Sequence, residues 1–232
     1  MQSEFSRLLL KFVPLGRLGS VAADGVPLIS YPARGQVSLR FTLDTNCIID
    51  VEDNRACAPY VRTLVDLHRA GQIIVAVSAI GASESLRSGG YAATFSEFQS
   101  KLSGINFDSL ELLPPRACLG LAYFDYYVLA DDSDTLEQDI HTVLFPTIEF
   151  LWEDFASARG LPIDGSDKQW RNAKCDVLTL CCYIQHDGDV FVTSDSNFHK
   201  KSSVLSALGA KVIASPQEAV IIAQGGQRSP NR

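Results

Sequence analysis

A chain of 232 residues, 46% hydrophobic and 20% charged, is long enough to bury a full core and fits one large domain or one domain with additions. Its formal net charge of -7 argues against a generally basic coat for nucleic acid and leaves phosphate binding to a local basic patch or a bound cation. Six cysteines without a CxxC pair read as reduced, buried thiols, and no stretch approaches a membrane span or a signal-peptide core, so a cytoplasmic protein with no membrane partner is expected.

Residues 1–36 carry Pro14, Pro27 and Pro32 among four glycines, which breaks them into short extended pieces; we read an extension, with a hairpin as one arrangement. The main domain is expected over residues 37–224. Val37, Leu39, Phe41 and Leu43 alternate with polar neighbours, then Asp44, Thr45 and Asn46 interrupt, and Ile48, Ile49 and Val51 resume as a helix would. Pro59 suits the first turn of a second helix that Gly71 stops. Ile73 to Val77 is a β-branched run, as a strand buried on both faces should be, and strand, helix, strand makes a parallel crossover.

Glu84 then opens a short helix, Phe95, Phe98 and Leu102 mark another, and Leu110 to Leu113 is a strand candidate. Residues 115–145, with the aromatic run Tyr123, Phe124, Tyr126 and Tyr127 and a helix expected over Ser133 to Leu144 opened by Asp134, read as an insertion. Phe150, Leu151, Phe155 and Ala158 predict a helix ending at Gly160. Asp176 sits on a long helix with Val177, Leu180, Cys181 and Ile184 at helical spacing; it starts either at a Ser166 and Gln169 capping box or near Cys175. Val190 to Thr193 and Val212 to Ala214 are the last strands, Pro216 opens the last helix, and residues 225–232 read as a disordered tail.

The carboxylates Asp44, Glu84 and Asp195 all follow strands, and the carboxyl ends of parallel strands share one edge; the helix of Asp176 need only lean over that edge to join them. Four acids so gathered require a cation. Hard oxygen ligands without histidine or cysteine suit Mg²⁺ or Mn²⁺, which can polarise a phosphoryl oxygen and lower the pKa of a water.

The stretches LDTN (Leu43 to Asn46), CDVLTL with Asp176 and VTSDSNF (Val192 to Phe198), with Glu84 between them, resemble the PIN-domain nucleases over about Val37 to Gln224. The resemblance implies a three-layer α/β/α sandwich with strand order 3-2-1-4-5 and an endoribonuclease that hydrolyses RNA through a metal-activated water. It also implies that Asp44, Glu84, Asp176 and Asp195 hold the metal while Asn46, Thr193 and Asn197 orient ligands or water. The interval from Glu84 to Asp176 is longer than in compact members, and residues 1–36 lie outside the match.

Each residue also has a plainer reading: Asp44, Asp195 and Asn197 as turn or capping residues, Glu84 as a helix-dipole residue, and Asp176 as a solvated helix residue. Arg171, Lys174, Lys200 and Lys201 border the expected site and are candidates for phosphate contacts, although basic residues are commonly just solvated. A non-catalytic RNA-binding or protein-interaction module competes as a reading. So does a haloacid dehalogenase-type phosphatase, which needs an acid where Asn46 stands. A homo-oligomer and an inhibitory protein partner stay open.

Overall fold

The computed structural model describes residues 38–83, 95–118, 121, 127–128, 135–165 and 167–225. The N-terminal extension, Glu84, the aromatic residues Tyr123, Phe124 and Tyr126, Asp134, Ser166 and residues 226–232 lie outside the described residues. Five strands, β1 (Arg40–Leu43), β2 (Ile74–Ser78), β3 (Glu111–Leu113), β4 (Val190–Val192) and β5 (Ile213–Ala214), form one all-parallel sheet in the order 3-2-1-4-5. The expected α/β architecture and strand order are therefore those observed.

The alternation of side chains decides what each face of the sheet packs against. Phe41, Leu43, Val75, Val77, Val190 and Val192 point into one core, which is completed by α1 (Thr45–Glu52), α2 (Ala58–Arg69), α3 (Phe95–Gly104) and α8 (Pro216–Gly225). Phe191 points the other way, into a second core with residues of α4 (Leu136–Leu144), α6 (Lys168–Gln185) and α7 (Ser196–Ala207). Ala76 and Cys182 meet on that second side. Helices on both faces explain why β2 and β4 read as continuous apolar runs.

α2 has proline in its first turn and is followed by Gly71 at φ 70°. α5 (Trp152–Arg159) ends in the left-handed Gly160 but starts after Phe150 and Leu151; Leu151 is half exposed and caps the helix from an extended backbone. α6 starts at neither expected place. Asp167 caps it, its carboxylate accepting from the backbone N–H of Gln169 at 2.7 Å and of Trp170 at 3.2 Å, so Asp176 lies in the middle of the helix. Within the span read as an insertion, α4 packs on α6 and α7 and sends Ile140 and Leu144 into the second core.

The six cysteines are free thiols, with Cys57 and Cys118 only half-buried. Burial pushes the Cys182 thiol up to about 12 and raises Cys47 well above its ordinary value, so neither is a nucleophile at neutral pH.

His141 of α4 is buried, and its Nε2–H donates to the Ile148 carbonyl at 2.7 Å while Nδ1 has no partner among the described residues. Burial pulls its pKa down, assisted by the Lys174 charge; the Ile148 bond and Glu137 act in the opposite direction. A histidine kept neutral in the fold binds protons more readily when unfolded, so its contribution is complete above the ordinary histidine range and is lost as pH falls through it. Thermal unfolding of His141→Gln, which keeps a donor for Ile148, is expected to depend less on pH below about 6.5. A difference curve that is flat across that window would remove His141 as the cause.

Candidate functional site

In the order 3-2-1-4-5 the chain reverses direction of growth between β1 and β4, and ligands of open α/β sheets bind at that point, outside the carboxyl ends. Asp44 follows β1 and Thr193 to Asp195 follow β4, which puts the two most specific sequence stretches side by side. Their joining begins in the backbone: Asp44 N–H donates to the Val192 carbonyl at 2.9 Å, one step beyond the last paired residues.

Asp44 is 1% exposed and caps α1. One carboxylate oxygen accepts from Thr45 N–H at 2.8 Å; the other accepts from Asn46 Nδ2 at 3.0 Å and from Thr193 Oγ1 at 2.6 Å. Burial raises its pKa, and the charge of Asp195 adds to the rise; the three hydrogen bonds lower it without cancelling the burial. The Thr193 hydroxyl ties the Asp44 carboxylate to the backbone of Asp195, donating to the former while accepting the Asp195 N–H at 3.0 Å. Asp195 caps α7 and accepts from Asn197 N–H at 2.8 Å.

The side chain of Asn197 turns away from the acids, donating through Nδ2 to the Leu144 carbonyl at 3.2 Å at the end of α4. Lys201 Nζ donates to the same carbonyl at 2.6 Å, and burial pulls its pKa down against the attraction of Asp195. Lys200 is exposed one residue before it. Arg171 is half-buried near the start of α6. Lys174 is not on an open rim: it is 5% exposed, its Nζ lies 2.5 Å from Glu137 Oε1 and 3.7 Å above the centre of the Phe150 ring.

Asp176 is half-buried between buried Cys175 and Val177. Cys175 and Leu178 pack on Ile80, in the 3₁₀ turn Ala79–Ser83 that leaves the carboxyl end of β2. That puts this turn of α6 at the height of the acidic edge. Among the described residues, no group of three or more His, Cys, Asp or Glu side chains lies close enough to hold a metal ion, so Asp44, Asp176 and Asp195 do not close around one point. Glu84, the fourth expected ligand, is outside the described residues. The donor chemistry nonetheless fits a hard cation, since a buried carboxylate with a raised pKa, a neighbouring acid and a shared hydroxyl are all oxygen ligands whose repulsion a cation relieves.

One residue escaped the sequence reading. Asp50 on α1 is 5% exposed and accepts from Ser194 Oγ at 2.7 Å, tying the loop that carries Asp195 back to the first helix; Arg55 approaches its other oxygen at 3.8 Å. An acid between the apolar residues Ile49 and Val51 was the available signal.

No protein-family model matches this chain, and no curated protein matches it. Among the described residues no helix is long and apolar enough to cross a membrane.

Proposed function

We propose that the protein is a metal-dependent endoribonuclease of the PIN-domain type, with the carboxyl edge of β1 and β4 as its active site. One observation carries the reading: Asp44 and Asp195 stand at the ends of the two strands flanking the switch point, and the hydroxyl of Thr193 ties the Asp44 carboxylate to the backbone N–H of Asp195. A strand-end aspartate that serves only as a helix cap has no need of full burial beside a second acid, a placement that costs stability at neutral pH.

In this reading Asp44 and Asp195 hold Mg²⁺ or Mn²⁺ with Asp176 and Glu84, directly or through water. When bound, the ion supplies polarisation of the scissile phosphate and lowers the pKa of a water. Asn46 and Thr193 fix the orientation of the Asp44 carboxylate, and Asp50 holds Ser194 and hence the Asp195 loop. Exposed Lys200 on α7, with half-buried Arg171 and with Lys201, whose Nζ also donates to Leu144, are the cations assigned to RNA phosphates. Asn197, bonded to Leu144, anchors α7 to α4.

The test is digestion of mixed RNAs with Mg²⁺ or Mn²⁺, with end mapping and a chelated control. Metal-dependent internal cleavage is expected, and RNA left intact with either ion would overturn the reading. Thr193→Val removes a buried hydroxyl that holds the Asp44 carboxylate and the Asp195 backbone, and outer-shell partners of metal ligands are worth about 10- to 100-fold in activity. That loss, with rescue by Thr193→Ser, is expected in the same assay; full activity in the valine variant would dissociate the bridge from the chemistry.

A further inference from the structure

A cavity of about 340 Å³ opens beside the first turns of α6, lined among others by Leu121, Phe150, Trp152, Trp170, Arg171 and Lys174. Its volume is at the small end for ligand sites, which start at roughly 300 Å³, so it suits a single nucleotide-sized group. Both tryptophans of the chain are in its wall, their rings edge to face at 5.5 Å. Their indole N–H groups are already committed: Trp152 Nε1 donates to the Ile163 carbonyl at 2.6 Å and Trp170 Nε1 to the Glu149 carbonyl at 3.1 Å. The rings are thus fixed in orientation, and what they offer a ligand is aromatic surface.

The cavity lies on the same side of the sheet as the acids. Cys175 and Leu178 meet Ile80 just beyond the carboxyl end of β2. Trp170 and Arg171 precede Cys175 by five and four residues, about 6–8 Å farther along the helix at 1.5 Å per residue, away from the sheet. Aromatic walls, with Arg171, Lys174 and the single acid Glu153 also in the lining, match the face of a planar base, and stacking accepts any base because each has a π-face. Lys174 contributes less to this than its position suggests, since Glu137 neutralises it.

We propose that this cavity is a base subsite: it takes one unpaired nucleobase of an RNA strand, stacked on one of the two indoles and edge-on to the other, while the backbone runs on toward the acidic edge. The proposal rests on the ribonuclease reading above. Because the chain has no other tryptophan, its intrinsic emission reports on this cavity alone.

The experiment titrates the full chain, in chelator so that nothing is cleaved, with a short fluorescein-labelled oligoadenylate followed by anisotropy and with the unlabelled oligomer followed by tryptophan emission. Emission is expected to be quenched with the same midpoint as the anisotropy, and an abasic oligomer of equal length, which keeps the phosphates, is expected to leave it unquenched. Trp152→Phe and Trp170→Phe each retain a ring and one reporter; Trp170→Ala is expected to weaken binding about ten-fold. Oligoadenylate that binds by anisotropy without quenching, or an abasic oligomer that quenches equally, would overturn the base subsite while leaving the nuclease reading to its own digestion assay. RNA that is neither bound nor cleaved removes both.

Discussion

Asp44→Asn is expected to leave a folded protein whose RNA cleavage has fallen by at least about 100-fold, more than loss of an outer-shell partner costs. Asparagine is as good a helix cap as aspartate, so α1 keeps its start. The substitution removes a carboxylate whose pKa is raised by burial and by Asp195. A raised carboxylate pKa means that the folded state holds the proton more tightly, so stability falls as pH rises from the ordinary carboxylate range through the folded value. Without metal, the gain from removing that charge opposes the loss of the two hydrogen bonds that the second oxygen accepts from Asn46 and Thr193, so the asparagine variant is expected to melt close to the parent at neutral pH.

The metal response separates this from a plain capping role. At a hundred-fold excess over its dissociation constant, a ligand of the folded state adds about 2.7 kcal/mol. Millimolar Mn²⁺ is expected to raise the thermal midpoint of the parent, and Asp44→Asn to remove most of that gain. Asp195→Asn is expected to behave likewise, because it too keeps its cap on α7. A parent whose midpoint ignores both ions, or an asparagine variant that cleaves at the parental rate, would return Asp44 to the status of a turn residue.

What could be read from the sequence follows from how local each signal is. Ile74 to Ser78 and Val190 to Val192 are strands buried on both faces, so their composition alone announces them. Asp44 and Asp195 were legible because each follows a strand and opens a helix. The order of the strands is not local, and it came from a resemblance rather than from periodicity. The start of α6 was misread because Ser166 and Asp167 are both good caps and only the backbone chooses between them; Asp167 does so with two N–H bonds. Asp50 was overlooked because its partner, Ser194, is distant in sequence. For the same reason Lys174 was assigned to a solvated rim, although its neighbours Ala173 and Cys175 are buried.

Lys174 carries the second large effect, and here sequence and structure expect different results. On the sequence reading, its removal weakens RNA binding and reduces the salt slope by roughly 0.7 for a single strand, with the fold intact. In the structure the ammonium is held by Glu137 and lies over Phe150, and the pair ties α6 to the first turn of α4. Removing one member of a buried ion pair costs on the order of 3–5 kcal/mol because the other charge is left uncompensated. Glu137 retains 17% exposure of its side chain, so the lower end applies. Lys174→Met is expected to destabilise the protein by about 3 kcal/mol, or roughly 10 °C in thermal midpoint for a domain of this size. Adding Glu137→Leu should recover a large part of that loss, since two apolar groups replace the pair. Lys200, exposed on α7, remains as the position where charge removal lowers the salt slope without loss of stability. If Lys174→Met melts with the parent and binds RNA more weakly, the Glu137 pair is not structural and Lys174 belongs with Lys200.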